Sequence, residues 1–377
     1  MALSDATPTA DLIIADRGGG NPLRIIGTDL QCSWEVGSAG QLSCRVPTRD
    51  VLAAGLTNDL RGKFVVYEHP TAGKWAGVIT ASPKTDGIME VAAQSLAINL
   101  NRRLVSGVWT AAPGATLRQA FAQANNGGPT YLTLGSIDGS GQAVEIGFAF
   151  EDMDDVVLPA LSTDQGFEWH VSPLGVLTFG KRIGSDLQSA VRLEEGKEIL
   201  TGRWVDDLHP VVNRVIGSGT GVIPGKPAEP EQGHYQPVGK KKRGKKRKKK
   251  WVVDAPGVDA VEDAYYGLAL AVAQDAGSIA RYGALEDFLP AGVVGDQNGL
   301  QNAVNVSLAQ RSGNFASSGE FTLWDMDGAT FSKFREGDTV SISLGLSGVS
   351  GIMRVMVRAL DLNTNTMVIS GSGKLNG

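Results

Sequence analysis

The sequence predicts a mainly β protein. Two antiparallel strand-rich units lie at the ends of the chain, a small α+β module lies between them, and helices are inserted before the second unit is complete. Three observations carry this reading. Glycine supplies 49 of 377 residues, about 13% against a usual ~7%, and that excess favours many turns. Short alternating apolar runs separated by turn residues recur at about ten-residue spacing near both ends. Apolar residues at three- and four-residue spacing, the mark of a helix face, occur only in the middle of the chain. At 42% hydrophobic and 20% charged, the chain buries several cores and is too apolar to be disordered throughout.

The first strand signals frame a hairpin, TDLQCSWEVGSAGQLSCRV, whose turn falls near Gly37 to Gly40 and brings Cys32 and Cys44 nearly opposite each other. Two cysteines are too few for a disulfide scaffold and lack metal-ligand spacing, so they read as small buried hydrophobes, with a late cross-strand disulfide as the alternative. Phe64-Val65-Val66-Tyr67 and Lys74 to Thr80 (KWAGVIT) follow as strands. Thr85-Asp86-Gly87 then turns into Ile88 to Ala93, a pattern that suits a small barrel or a sandwich. Leu96 to Leu104 suits a short helix or a closing strand, and periodicity does not decide between them.

From Pro113 the texture changes. Thr116 can cap a helix whose Leu117, Ala120, Phe121 and Ala124 share one face, and Asn126-Gly127-Gly128-Pro129 stops it. A second helical stretch is expected in Asp154 to Thr163, its start blurred by Pro159. GFEWHV-SPLG-VLTFG is a hairpin with Phe167, Trp169 and Val171 on one face, Ser172 to Gly175 in the turn and His170 pointing outward. Val211 to Gly217 restarts β-structure and runs into a Gly- and Pro-rich stretch. Ala260 to Gln274, Ser278 to Phe288 and Asn298 to Gln310 read as helices. The tail returns to strands: Val340, Ile342 and Leu344 alternate inward after Glu336-Gly337-Asp338, Met353, Val355, Val357 and Ala359 do the same, and Asn363 to Asn365 turn into Met367 to Ile369. The expected organisation is a first strand unit at 1–108, an α+β module at 109–187, a second strand unit at 188–222 and 311–377, a basic flexible insert at 223–257 and a helical insert at 258–310.

Charge divides the chain sharply. Lys240 to Lys250 reads KKKRGKKRKKK, in which Lys240, Lys241, Lys242, Arg243, Lys245, Lys246, Arg247, Lys248, Lys249 and Lys250 are basic. The whole carries a net charge of −5, and without this run 25 basic residues face 40 acidic ones, a balance of −15. An acidic body argues against a nucleic-acid-binding core. Adjacent cations about 6 Å apart repel by roughly 0.7 kcal/mol in water, so a loop protruding into solvent is the expected form. The run reads as a solvated loop, as a contact with an anionic partner (phospholipid, teichoic-type polymer, acidic protein surface or DNA), or as a targeting address. It lacks aromatic residues to stack bases until Trp251.

Few residues announce chemistry. His69 and His209 precede prolines and read as turn residues, and none of His69, His170, His209 and His234 belongs to a zinc-binding pattern. No Gly-x-Ser-x-Gly elbow is present. Gly217-Ser218-Gly219-Thr220-Gly221 lacks the Lys-Ser/Thr ending of a phosphate loop and reads as a flexible approach to the insert. Glu151, Asp152, Asp154 and Asp155 lack the order of a calcium loop and suit a helix N-terminus. No apolar run of 18 residues suggests a membrane span, and Met1 to Ala10 shows no basic and apolar leader, so synthesis in the cytoplasm is expected. Catalytic, cofactor and metal residues are therefore not assigned, and a non-enzyme is expected.

Several stretches together resemble tail hub proteins of tailed phages. WAGVITASPKTDGIMEVAAQSLAINLNRRLV resembles the end of their first barrel, and GFEWHVSPLGVLTFG resembles the hairpin after their α+β module. SIARYGALEDF, a helix, and then GDTVSISL and MRVMVRALDLNTNTMVIS resemble their second half. The likeness spans about residues 10–220 and 260–374 and points to siphophage minor tail proteins of the baseplate-hub superfamily. It implies two small antiparallel β-barrels per chain, alternating round a homotrimeric ring that matches a sixfold tail tube or distal tail ring to a threefold tip. Partners would be further copies of the chain, the distal tail or tube protein, the tape measure protein and central tip or fibre proteins, at the tail tip of a virion. Obligate rings of this kind commonly bury more than about 2,000 Å² per contact, and their exposed edge strands must be paired or covered. The chain ends at Gly377, just after the second barrel, so lysis or receptor binding is expected from another protein. The basic run lies outside the family pattern. Two rival classes remain: an anionic-polymer or nucleic-acid binder acting through the run, and a tail-associated cell-wall hydrolase.

Overall fold

The computed structural model describes residues 8–17, 19–57, 59–206, 212–223, 232–238, 248–255, 265–290, 296–311, 317–325, 328–345 and 348–376. The first strands are β1 (Thr9–Ala15), β2 (Leu23–Glu35), β3 (Gln41–Pro47), β4 (Phe64–His69), β5 (Gly73–Ala81), β6 (Lys84–Thr85) and β7 (Ile88–Ser95), with a short helix α1 (Thr48–Ala53) after β3. They pair in the order β1-β4-β5-β7-β3-β2, and β2 pairs back onto β1, which closes a six-stranded antiparallel barrel. Strict alternation builds it: Ala10, Leu12 and Ile14 on β1, Leu42, Cys44 and Val46 on β3, and Met89, Val91 and Ala93 on β7 all face inward. Trp75, Tyr67 and Ile79 fill the remaining interior, as side chains do in barrels of this size.

The cysteines are free and buried. They are not directly opposite: the hairpin register pairs Cys32 with Leu42, and β2 bulges further from the turn, between Thr28 and Gln31, where Asp29 has φ 53°. Burial pushes the Cys44 thiol up to about 12 and raises that of Cys32 as well.

Of the two expectations for Leu96 to Leu104 the short helix is met and the closing strand is not, since the strand that begins at Leu104 pairs outside the barrel. Leu96–Leu100 form one 3₁₀ turn, and β8 (Leu104–Ala111) begins after it. The α+β module continues with α2 (Pro113–Asn126), β9 (Thr133–Ile137), β10 (Val144–Asp152), α3 (Leu158–Leu161), β11 (Glu168–Val171) and β12 (Val176–Gly180). Thr116 is not the cap. Helix α2 starts at Pro113, whose missing N–H and fixed φ suit the first turn, so Thr116 sits inside the helix with its buried hydroxyl unpartnered. The face Leu117, Ala120, Phe121 and Ala124 is buried as expected. The second helical stretch starts as a wide turn at Met153–Val157, capped by the Asp152 carboxylate, which accepts from the amides of Asp154 and Asp155, and continues as α3. Strands β8 and β10 form a two-stranded ribbon; β11, β12 and β9 form a second small sheet in which Phe167 and Phe179 stack at 5.0 Å.

The second strand unit opens with β13 (Arg192–Glu194) and β14 (Ile199–Asp206). Next come β15 (Arg214–Ile223), β16 (Gln232–Val238), β17 (Lys248–Ala255), β18 (Tyr265–Gln274), α4 (Ala276–Tyr282), β19 (Glu286–Pro290) and α5 (Gln297–Arg311). The unit resumes with β20 (Ser317–Trp324), β21 (Thr339–Leu344), β22 (Val349–Asp361) and β23 (Thr366–Asn376) and pairs in the order β14-β20-β23-β22-β21-β13. Four expectations are corrected here. Residues 265–274 form a strand rather than a helix, because their alternation lets Ala271 and Ala273 face inward while the backbone pairs along all of β15. The helix expected over Ser278 to Phe288 stops at Tyr282, and Glu286–Pro290 pair with β15 in parallel. The Gly217 to Gly221 stretch lies within β15. The basic insert contains a hairpin, β16 with β17. Helix α5 matches the sequence. It packs so closely that a Cβ at Gly217 would lie 2.3 Å from Val304 Cγ1, which explains glycine at that point of β15.

The two strand units are not separate. Gln31–Glu35 of β2 pair with Val357–Asp361 of β22, so both belong to one 13-stranded sheet, and their buried side chains merge into one core. Inward alternation along β22 holds at Met353 and Val355 and then changes phase. A bulge at Met356, opposite Gly371, turns Arg358 and Leu360 inward in place of Val357 and Ala359. Among the described residues no helix is long and apolar enough to cross a membrane.

Candidate functional site

The bulge in β22 delivers a cation to the point where both strand units and the α+β module meet. Arg358 is 3% exposed. Its Nε and Nη2 donate to Glu336 Oε2 at 3.0 and 2.9 Å, and Nη1 donates to the carbonyls of Phe331 and Phe334. Its Nη2 also donates to Ala72 O in the first barrel at 3.4 Å, and the guanidinium lies 5.0 Å from the Trp34 ring centroid. The other oxygen of Glu336 lies 3.2 Å from His170 Nε2 on β11. Burial pushes the Glu336 carboxyl up, but the hydrogen bond from His170 and the charge of Arg358 outweigh it and hold the group at about 2. His170 therefore points inward to a partner, contrary to the hairpin reading, because β11 docks on the second unit with that face.

A second contact runs parallel. Arg354 grips Glu168 of β11 in a bidentate pair, and its Nη2 donates to Ile183 O at 2.8 Å. Asp338 accepts from the amides of Ser185 at 2.6 Å and Arg335 at 2.7 Å, fixing the chain that leaves the module. His69, at the end of β4, accepts on Nδ1 from the amides of Thr71 and Ala72, while Thr71 Oγ1 donates to Asp325 beyond β20. These carboxylates are saturated with donors. The arrangement locks three units in one geometry and offers no activated nucleophile. Sequence patterning missed Glu168, Glu336, Arg354 and Arg358, since nothing local marks a charged residue as inward; the Glu336-Gly337-Asp338 turn was its only trace.

Of the residues singled out by charge, Lys240 to Arg247 lie outside the described residues, as does His209. Lys248, Lys249 and Lys250 begin β17 and pair with Val238, Pro237 and Gln236 of β16. In the acidic cluster, Asp152 serves as a cap, and Asp154 is pushed up to about 6 by burial and by Asp155 and Asp152. Among the described residues no group of three or more His, Cys, Asp or Glu side chains could hold a metal ion. The grooves are open. One of about 500 Å³ lies where β2, β3 and β7 meet β22, lined by Gln31, Ser33, Ser43, Gln94 and Asp361 among others. Another of about 470 Å³ adjoins it, and there Arg45 is balanced by Asp29 at 3.2 Å and Glu90 at 3.8 Å.

Solved structures resemble this architecture nearly end to end. The 43 kDa tail protein of prophage MuSo2 from Shewanella oneidensis is similar over 96% of this chain and 98% of its own, with a TM-score of 0.61 at 10% identity. The chain has the fold of phage tail proteins. The tail protein of Neisseria meningitidis MC58 shares the tail-protein fold over 96% of each chain, with a TM-score of 0.58 at 13% identity. Prophage tail protein gp18 of Listeria monocytogenes EGD-e shares it over 96% of this chain and 94% of its own, with a TM-score of 0.54 at 12% identity. No family model and no curated protein sequence matches the chain. The resemblance to tail hub proteins thus holds as a likeness of the tail-protein fold.

Proposed function

We propose that this chain is a structural protein of a phage tail: a hub at the distal end, present as a homotrimer, joining the tail tube or distal tail ring to the tip and surrounding the passage for tape measure and DNA. The observation that carries the reading is the end-to-end likeness to three tail proteins, each matched over most of both chains. The rigid junction around Arg358 supports it. A ring element has to hold its strand units at a fixed mutual angle, and the buried ion network together with the β2–β22 pairing joins them within one chain. The partners would be the neighbouring tube or distal tail protein, the tape measure protein and the tip proteins.

Hydrodynamic mass tests the reading. The purified protein, alone or with its tail partner, is expected near three times 39.6 kDa or as closed rings, and particles labelled on this chain should carry the label at the tail tip. A stable monomer with no affinity for tail proteins overturns it. Clearing of cell-wall substrate in a zymogram would favour the hydrolase instead. Duplex DNA binding whose log affinity falls with log salt at a slope near −9 would favour the polyanion binder acting through Lys240 to Lys250.

A further inference from the structure

The buried apolar side chains of the described residues gather into three clusters. The two strand units share the first. The second is the core of the α+β module and takes in Ala76 and Val78 of β5, so apolar packing joins the module to the first barrel. The third belongs to a lobe made of β15, β18, α4, β19 and α5. Its core, with Val215, Ala271, Ala273, Leu300 and Val304 at the centre, is drawn from the lobe alone. Helix α5 divides its faces to match. Leu300 and Val304 press on β15, where a Cβ at Gly217 would lie 3.2 and 2.3 Å from them. By three- and four-residue spacing, Gly299, Asn302, Ala303 and Val306 share the other side of the helix.

That second side meets the module through polar and small groups. Asn302 Nδ2 donates to Gln165 Oε1 at 2.9 Å, and the Glu145 amide of β10 donates to Asp296 Oδ2 at 2.8 Å, just ahead of α5. Val306 lies against Gly166, where a Cβ would be 3.3 Å from Val306 Cγ2. Gln165 closes the 3₁₀ turn Thr163–Gln165 and is buried, yet its Nε2 has no hydrogen-bond partner. A buried donor left unpaired carries its full desolvation penalty, and parting α5 from the turn lets water relieve it. Units that meet across a polar boundary move relative to one another unless a large apolar interface prevents it. The lobe and the module share no core, so nothing of that kind holds them.

We propose that the lobe of β15, β18, α4, β19 and α5 is an arm that swings off the α+β module as one folded unit, latched shut by Asn302–Gln165 and Asp296–Glu145. Its own core keeps it folded when open, as expected of a unit that opens cooperatively. The chain thereby has two surfaces to offer. Closed, α5 covers Gln165 and Gly166; open, that patch and the Asn302 side of α5 both face solvent. The inference stands apart from the hub reading, because every contact it uses lies within one chain.

The test uses the full-length protein with nitroxide labels on Thr163→Cys and Ala309→Cys, two exposed positions on either side of the boundary. Cys32 and Cys44 are buried with their thiols pushed up, so they stay unlabelled. Pulsed electron resonance should resolve a short distance and a second, longer one. Asn302→Ala should raise the long-to-short ratio about tenfold, as the loss of one hydrogen bond implies. Amide exchange is read alongside on unlabelled protein. The same variant should speed exchange at the Glu145 amide by a similar factor and leave the paired amides of β15 and β18 at their parent rates. A single short distance in both proteins, or a ratio that Asn302→Ala leaves unchanged, overturns the proposal. So does faster exchange spreading through β15 and β18, because the lobe then unfolds instead of swinging.

Discussion

Arg358 shows how one side chain holds the architecture. Its charge is buried with four acceptors and an aromatic face around it, and removing either member of such a pair costs about 3–5 kcal/mol because the other is left uncompensated. Arg358→Met is therefore expected to lower stability by that amount, read as a shift of the urea midpoint, and adding Glu336→Gln should recover part of the loss. The pH dependence follows from Glu336. Its carboxyl falls from an ordinary 4.5 to about 2 in the folded chain, so its contribution is fully present above pH 4.5 and is lost as pH falls toward 2. Acid unfolding of Glu336→Gln should be flatter across that window than in the parent. Asp164 has the opposite sign: burial raises it from 3.8 to about 6, so stability is lost as pH rises from about 3.8 and the loss is complete above about 6. Asp164→Asn should raise the melting temperature at pH 8 and leave it nearly unchanged at pH 3.5.

At the scale of elements, periodicity identified most strands and could not identify their partners. The hairpin of β11 and β12 and the helix α2 were legible because their signals are local: a four-residue turn in one, a 3- and 4-residue apolar rhythm in the other. Residues 265–274 were not. YYGLALAVAQ is rich in helix formers, yet Leu270 and Val272 stand on one face and Ala271 and Ala273 on the other because β15 offers a full-length pairing edge. Packing of α5 over that sheet depends on the absent side chain at Gly217. Gly217→Val would drive a methyl into Val304, and overpacking of this kind costs about 1–3 kcal/mol. Faster amide exchange confined to β15, β18 and α5, with the first barrel unchanged, is the expected result.

Across the whole molecule the decisive feature is continuity. The first barrel and the second strand unit share a sheet and a core, the module is clamped to the second unit by Glu168–Arg354 and His170–Glu336, and Arg358, paired with Glu336, reaches Ala72 O of the first barrel. Far-ultraviolet dichroism and tryptophan fluorescence should therefore report coincident urea transitions for the two strand units. Two resolved steps would show that the β2–β22 pairing is too weak to couple them. Coupled units suit a protein proposed to carry load between a tube and a tip.

By itself the sequence determined the alternating strands and their turns, the apolar interior, the buried face of α2, the span of α5 and the separation of an acidic body from one cationic run. These are properties of neighbouring residues, and steric and solvation preferences act over a few positions. Only the tertiary structure decided that β2 pairs with β22, that β18 is a strand, that a bulge turns Arg358 inward, and that His170 meets Glu336. Each of these depends on a partner far along the chain, as when Gln31 reaches Asp361 across 330 positions, and no local pattern encodes where such a partner will be.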